Sequence, residues 1–251
     1  MVNMLMIMAM ILLLNKNIIW RIKVSVDIYT AVIAVRAGSK RVKNKNIQPF
    51  GDSNLLVHKI RQLKKVNEIN KIVVSSDSEE MLEMAKNEGV EIHVRAIEYA
   101  DEKTKSFGEM VEYVASNIDT DYIVWTPCVC PLCGDDVISL MVRKFKEELV
   151  FSNRYDSMVS AKLLKEYIWD CEKPINYSIE KHVKSQDLPN WYIVVNGCFI
   201  SSKTNILHNK FCYGHKPYIY EIDKISAIDI DDEYDLEIAR LMYDKLINKK
   251  G

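Results

Sequence analysis

Tyr29-Thr-Ala-Val-Ile-Ala-Val35, followed directly by Arg36-Ala-Gly-Ser-Lys40, is the stretch that decides the fold. A short, β-branched apolar run that ends at a glycine-containing turn predicts a buried strand. The loop after this run is rich in cations, which are Arg36, Lys40, Arg41, Lys43 and Lys45. Gly38 and Ser39 let backbone N–H groups turn inward. A basic loop at the carboxyl end of the first parallel strand of an α/β fold is placed to hold a polyphosphate.

Two common phosphate motifs do not fit this loop. The P-loop spacing G-x-x-x-x-G-K-[ST] and the dinucleotide fingerprint G-x-G-x-x-G are both missing from it. The alternative to a phosphate site is a solvated basic turn. We adopt that interpretation for Arg41 and Lys43 only.

Strand and helix patterns alternate along the chain, which predicts an α/β fold with a mostly parallel sheet flanked by helices. Further strands are expected at 71–75, 91–94, 122–125, 157–161, 196–201 and 218–222, and helices at 55–66, 77–87, 106–117, 135–148 and 234–247. Asp77 is predicted to cap the second of these helices, with Glu80 completing a capping box. Residues 162–190 are irregular and aromatic, and predict an insertion that reaches over the site or to a partner subunit.

Composition excludes several classes of protein. The net charge of −1 gives no general attraction to nucleic acid or to an anionic membrane. Six cysteines in a chain of 251 residues indicate reduced thiols and a cytoplasmic protein. The apolar run at 4–14 is shorter than the roughly 20 residues that span a bilayer. We expect residues 1–27 to be a hydrophobic extension, either a mispredicted start, a packing or oligomer-contact element, or an interfacial anchor. Residues 28–251 form the predicted catalytic domain.

Three segments together carry a family resemblance. Arg36-x-Gly-Ser-Lys40 followed by Lys45-Asn46 resembles the signature A-R-x-G-S-K-x-x-x-x-K-N of the acylneuraminate cytidylyltransferase family. Ile228-Asp-Ile-Asp-Asp-Glu-Tyr-Asp-Leu236 is similar to the family's I-D-I-D-x-x-x-D-L. Ser185-Gln-Asp-Leu-Pro189, leading to Asn196-Gly197, is similar to R-Q-D-L-P…N-G. The segments lie in the family's order, and the resemblance implies a Rossmann-like nucleotidyltransferase fold over 28–247.

The resemblance also implies roles for individual residues. The implied nucleotide-binding residues are Arg36, Gly38, Ser39, Lys40, Lys45, Asn46, Arg95 and Ser106. The implied catalytic residues are Arg36, Lys45, Lys184 and Asp231, and the implied acceptor-binding residues are Lys184, Gln186 and Asn196. For Arg95 the alternative is a surface ion pair with Glu98.

Asp229 and Asp231 are the candidate metal ligands. In a strand, residues two apart share a face, so both carboxylates would point to one side and suit Mg²⁺. The alternative is a polar sheet end at which Asp232 caps the last helix. Cys128, Cys130 and Cys133 lack a fourth ligand at a fitting spacing, and we interpret them as buried thiols rather than a zinc site.

The function implied is a Mg²⁺-dependent cytidylyltransferase that joins CTP to an anionic acceptor, a nonulosonic acid related to sialic acid, and releases pyrophosphate. The implied protein is a homodimer that serves surface polysaccharide biosynthesis. Ser185 replaces the family's arginine, and a lysine that sialic acid synthetases tend to place near Trp169 is missing, so another anionic acceptor is expected. The alternatives are a nucleotidyltransferase for a phosphonate or phosphorylated acceptor, and a catalytically degraded nucleotide-binding protein.

Overall fold

The computed structural model describes residues 27–39, 41–101, 103–150, 154–181 and 183–248, with only the backbone at 149 and 150. The extension predicted for residues 1–27 lies outside the described residues except for Asp27, and it stays a prediction. Lys40 also lies outside them. Within the described ranges, no helix combines the length and the apolar character needed to cross a membrane.

A mostly parallel sheet forms the centre of the fold. Its strands are β1 (Tyr29–Ala34), β4 (Lys71–Ser76), β5 (Glu91–Val94), β6 (Tyr122–Trp125), β7 (Ser157–Leu164), β8 (Trp191–Ser202) and β9 (Pro217–Glu221). Two short strands, β2 (Pro49–Phe50) and β3 (Ser53–Asn54), form a separate hairpin outside this sheet. The order is β5-β4-β1-β6-β8-β7-β9. Among the seven described strands of this central sheet, only β8 runs antiparallel to its neighbours. The loops that follow β1, β4, β5 and β6 therefore meet at one edge, where open α/β sheets bind ligands.

Helices cover both faces of the sheet, as the sequence predicted. They are α1 (Leu55–Leu63), α2 (Glu79–Asn87), α3 (Phe107–Ser116), α4 (Asp135–Phe145), α5 (Lys203–Asn209) and α6 (Glu233–Ile247). One buried cluster joins α1, α2, α4 and α6 to the sheet, and a second joins α3 and α5 to its other face. Strand β1 supplies both clusters alternately, with Ala31 and Ile33 in the first and Val32 in the second, because successive side chains of a strand point to opposite faces.

One predicted helix cap is wrong. Ser78, not Asp77, caps α2, and its hydroxyl accepts a hydrogen bond from the Met81 amide at 3.4 Å. Asp77 is turned toward the loop that follows β1. Its carboxylate accepts a hydrogen bond from the Ala37 amide at 3.2 Å. Because the Asp77 carboxylate is engaged there, the next residue, Ser78, caps the helix that begins at Glu79.

The predicted insertion at 162–190 is partly regular. Strand β7 continues to Leu164 and β8 begins at Trp191, so the two form a long antiparallel ribbon. The loop between them is folded around Asn176, which is 8% exposed. Its side chain accepts a hydrogen bond from the Ile168 amide and donates one to the Glu166 carbonyl. The irregular composition therefore marked only the connection between two strands.

Candidate functional site

A basic cavity of about 790 Å³ opens at the carboxyl end of the sheet. The loop after β1 and the turn after β5 form its walls. Its charged lining residues in the described chain are the cations Arg36, Arg41, Lys45, Arg95, Lys103 and Lys105 and the single acid Asp101. A concave site with this excess of positive charge attracts and holds a polyanion.

The loop after β1 is held in shape from inside. Asn46 is 8% exposed, and its amide donates a hydrogen bond to the Arg36 carbonyl at 3.1 Å. The Arg36 guanidinium donates to the Ala100 carbonyl across the cavity at 3.1 Å. Gly38 adopts a φ of 74°, a left-handed conformation that favours glycine over other residues. The loop therefore lines the cavity with Arg36, Ser39, Lys45 and Asn46, and their predicted contacts with a nucleotide stay a prediction.

Lys45 links the cavity to the candidate metal ligands. Its ammonium donates a hydrogen bond to the Ile230 carbonyl at 2.6 Å, between Asp229 and Asp231. Burial lowers the pKa of Lys45, while the charges of Asp231 and Asp229 oppose that shift. Arg41 forms an ion pair with Asp231 at 2.9 Å, with both side chains at least 60% exposed. The prediction that Arg41 is only a solvated cation is therefore incomplete, because it both lines the cavity and pairs with Asp231.

The segment that carries Asp229 and Asp231 is not the strand that the sequence predicted. Residues 228–230 belong to no strand, and the Ile230 amide donates to the Val129 carbonyl at 2.8 Å. Ile230 is completely buried. Asp232 caps α6 through the Asp235 amide. The predicted cap at Asp232 is thus confirmed. This cap does not involve the side chains of Asp229 and Asp231, so both candidate metal ligands remain.

The carboxylate pair fits a magnesium ion. Burial raises the pKa of Asp229 above its usual value, and the charge of Asp231 adds to this, against a hydrogen bond from Asn196. Asn196 donates that bond at 2.7 Å. A bound cation would offset the unfavourable effect of Asp231 on the charge of Asp229. No cluster of three or more metal-ligating side chains occurs among the described residues, and Mg²⁺ commonly uses only one or two carboxylates together with substrate phosphates.

Arg95 and Ser106 form the far wall of the cavity. Arg95 is 4% exposed and donates to the Val35 carbonyl. Its ion-pair partner is Asp77, at 3.9 Å, and not Glu98 as the alternative interpretation proposed. Its buried Nε atom has no hydrogen-bond partner in the described protein. Because a buried donor without a partner is costly, this atom is a candidate contact for a bound molecule.

Two of the predicted acceptor residues lie outside the lining of the cavity. Lys184 and Gln186 are exposed at the short 3₁₀ turn Ser185–Asp187, and neither lines the cavity. Only Asn196 reaches the carboxylates, through its bond to Asp229. Roles for Lys184 and Gln186 stay predictions.

Sequence reasoning missed the second basic wall. Lys103 and Lys105 line the cavity from the turn after β5. Lys105 forms an ion pair with Glu109 at 3.0 Å and lies 5.6 Å from the centre of the Tyr99 ring. Tyr99 in turn stacks on Tyr113 at 4.0 Å. The sequence signal that could have revealed this wall is the pair of lysines between the end of β5 and the start of α3.

The three cysteines of the loop after β6 are core residues. Cys128, Cys130 and Cys133 are at most 2% exposed. Burial raises the pKa of the Cys128 thiol to about 12 and of Cys133 to about 11, and it also raises the pKa of Cys130. Such thiols stay protonated at neutral pH, in keeping with their interpretation as buried thiols.

The chain is similar to known cytidylyltransferases. A family model described as cytidylyltransferase matches residues 30–224. The chain is 28% identical over 237 residues to the N-acylneuraminate cytidylyltransferase of Escherichia coli O18:K1:H7, covering 88% of this chain and 53% of the relative. It is 26% identical over 222 residues to N-acylneuraminate cytidylyltransferase A of Danio rerio, covering 84% and 49%. It is also 26% identical over 223 residues to a pseudaminic acid cytidylyltransferase of Campylobacter jejuni, covering 84% and 94%. The chain thus spans about half the length of the first two relatives.

Solved structures share the fold. A CMP:2-keto-3-deoxy-manno-octonic acid synthetase complexed with CTP aligns with a TM-score of 0.63 at 10% identity, covering 87% of this chain and 99% of the other. A 4-diphosphocytidyl-2C-methyl-D-erythritol synthase from Anaerococcus prevotii aligns with a TM-score of 0.58 at 13% identity and the same coverage. At these identities the likeness concerns the fold alone, and it confirms the nucleotidyltransferase fold expected from the sequence.

Proposed function

The chain belongs to the cytidylyltransferase family, and on that premise we propose that it transfers CMP from CTP to an anionic sugar acid and releases pyrophosphate. The observation that supports this best is the basic cavity beside the carboxylate pair. Six cations face one acid in the cavity, and Lys45 connects the cavity wall to the segment with Asp229 and Asp231. A triphosphate and its metal need this combination of charges.

Each part of the site has a role in the proposed reaction. Arg36 and Lys45, together with Lys40, hold the triphosphate, and Arg95 and Ser106 contact the nucleoside end. A hydroxyl oxygen of the acceptor loses its proton to solvent and forms a bond to the α-phosphorus, while the bond from that phosphorus to the pyrophosphate oxygen breaks. Negative charge grows on the leaving pyrophosphate, and the cations of the cavity stabilise it. Asp229 and Asp231 would hold Mg²⁺, which supplies Lewis-acid polarisation of a phosphate oxygen when bound.

We propose a nonulosonic acid as the acceptor. The relatives named above include enzymes named for N-acylneuraminate and for pseudaminic acid. Ser185 stands where the family carries arginine, and Lys184 beside it is exposed. Lys184 would then supply the charge that an acceptor carboxylate needs. Asn196 would contribute polar contacts beside Asp229, and Gln186 would do so from the Lys184 turn. A product of this kind serves surface polysaccharide biosynthesis.

The ribbon of β7 and β8 supports a homodimer. The connection between the two strands and the start of β8 expose large apolar side chains, which are Trp169, Ile175, Ile179, Tyr192, Ile193 and Val194. Large exposed apolar surfaces mark protein–protein contacts, and we propose these side chains as part of one. A second copy of the chain is the proposed partner. The location we propose is the cytoplasm, in keeping with five buried cysteines and one exposed cysteine that are all unbridged.

A pyrophosphate-release assay tests the proposed function. The protein is incubated with Mg²⁺, one nucleoside triphosphate and one acceptor from a panel of nonulosonic acids, phosphonates and phosphorylated sugars. We expect release that requires CTP and a nonulosonic acid together. Release with a phosphonate or phosphorylated acceptor instead would favour the alternative nucleotidyltransferase. CTP binding without release for any acceptor would favour a degraded, nucleotide-binding protein.

A further inference from the structure

Lys59 on α1 is a buried cation that has no acidic partner among the described residues. Its side chain is completely inaccessible to solvent, and no carboxylate of the described chain forms an ion pair with it. Its ammonium instead donates hydrogen bonds to the carbonyls of Cys130 at 3.1 Å and Cys133 at 2.8 Å. Burying an ammonium group is costly unless its hydrogen bonds are made. A neutral side chain would avoid this cost, so a lysine at position 59 calls for a specific role.

The two bonds of Lys59 belong to a larger attachment between α1 and the loop after β6. Gln62 donates to the Pro131 carbonyl at 2.8 Å, and the His58 ring lies 3.2 Å from the same oxygen. Three neighbouring side chains of α1 thus engage three backbone carbonyls of residues 130–133. Because buried carbonyls need donors, this arrangement fixes the path of the loop.

That loop in turn holds the segment with the carboxylates. The Val129 carbonyl accepts a hydrogen bond from the Ile230 amide at 2.8 Å. The nearby charge of Asp229 adds to burial in raising the pKa of the Cys130 thiol. On its other side, Ile230 accepts the bond from Lys45. The residue between Asp229 and Asp231 is therefore fastened to the loop that Lys59 holds.

We propose that Lys59 is a positioning residue, which sets the geometry of Asp229 and Asp231 for Mg²⁺ by fixing residues 129–133. The inference rests on the proposed function, since it assumes that the carboxylate pair holds the metal. Lys59 touches neither the cavity nor the carboxylates. Its action passes through the backbone of the loop, in the way that groups behind a metal ligand orient that ligand.

The test uses Lys59→Met, which keeps the length of the side chain and removes its donors. Gln62→Met removes one donor to the same loop and is the second variant. Lys203→Met is the matched control, because the Lys203 ammonium also donates to a backbone carbonyl, that of Ile118 at 2.6 Å. Lys203 lies beside the amino end of β6, opposite to the site. Three quantities are measured: the Mg²⁺ concentration for half-maximal turnover, the Kd for CTP without metal, and the hydrogen-exchange rate of the Ile230 amide.

We expect Lys59→Met to raise the half-maximal Mg²⁺ concentration about tenfold, as loss of a group behind a metal ligand commonly does. The Ile230 amide should exchange faster, and the metal-free Kd for CTP should change by less than about twofold, because the cavity cations are untouched. Gln62→Met should shift the same quantities less, and Lys203→Met should shift none of them.

An active Lys59→Met protein with the wild-type Mg²⁺ dependence and Ile230 exchange rate would overturn the inference alone. A wild-type protein that binds no CTP would overturn the proposed function and this inference with it. Should Lys59→Met fail to fold, Gln62→Met decides on the same measurements. Unchanged Mg²⁺ dependence in that variant would overturn the inference.

Discussion

Replacing Lys45 by methionine removes a half-buried ammonium from the wall of the cavity while keeping the length of the side chain. In the structure this ammonium lies 2.6 Å from the Ile230 carbonyl and lines the cavity beside Arg36. A hydrogen bond to a charged group contributes roughly 1.5–3 kcal/mol, so the loss should weaken CTP binding by about 10- to 150-fold. CMP lacks the outer phosphates. Its affinity should fall by less than about threefold, in line with loss of a weak, screened charge interaction.

Isothermal titration calorimetry measures both affinities, and no acceptor is added, so that CTP is not consumed. Lys43→Met is the matched control, because Lys43 is an exposed cation of the same loop that does not line the cavity. It should leave both affinities within about twofold of wild type, since isolated surface charges contribute little. Equal losses for CTP and CMP in the Lys45→Met protein would refute the placement of this residue at the outer phosphates.

Three further predictions concern the metal, the pH dependence of stability and the acceptor. Asp231→Ala should lower turnover at least about 100-fold without unfolding the protein, as removal of a key electrostatic group does. Asp244→Ala removes an exposed acid of α6 and should have no effect in the same assay. Burial lowers the pKa of His58 from 6.5 to about 4, so between these pH values the unfolded chain binds a proton at this residue and the folded chain does not. The free energy of unfolding should therefore fall by up to about 3 kcal/mol between pH 6.5 and pH 4. Denaturant titrations should show this extra loss in wild type and not in His58→Phe. Because Ser185 replaces an expected cation, N-acetylneuraminate should be at least about tenfold worse in kcat/KM than another nonulosonic acid, a loss of roughly 1.4 kcal/mol.

Each of these predictions has a contrary outcome. Wild-type turnover of a folded Asp231→Ala protein would remove this residue from the metal site. An acid-induced loss of stability that is the same in His58→Phe and wild type would assign the pH dependence to other groups. If N-acetylneuraminate gives the highest kcat/KM of the panel, Lys184 or other groups replace the missing arginine.

The regular elements followed from the sequence because their signals are local. The buried strands β1, β4 and β6 contain short apolar runs between turns, and the helices show apolar residues at helical spacing. The cap of α2 was misplaced because Asp77 and Ser78 are both good caps. The choice between them depends on the Ala37 amide, which lies far along the chain and binds Asp77.

The site followed from the sequence only in part. The motif residues Arg36, Lys45 and Asn46 line the cavity, because they lie on one loop whose position the strand fixes. Lys103 and Lys105 were missed because the loop that carries them is brought to the cavity by the order of the strands in the sheet, and the sequence alone does not give that order. Lys59 was missed because helical periodicity marks apolar positions, and a lysine on the buried face becomes visible only with its carbonyl partners.

The central claim is the transfer of CMP to a sugar acid, and ³¹P NMR follows that transfer atom by atom. Wild-type protein is mixed with CTP, Mg²⁺ and pseudaminic, legionaminic or N-acetylneuraminic acid. We predict that the triphosphate signals disappear while two products grow in equal amounts, a CMP phosphodiester and pyrophosphate. Persistence of the CTP signals with every acid, or their conversion to CDP and inorganic phosphate, would contradict the claim.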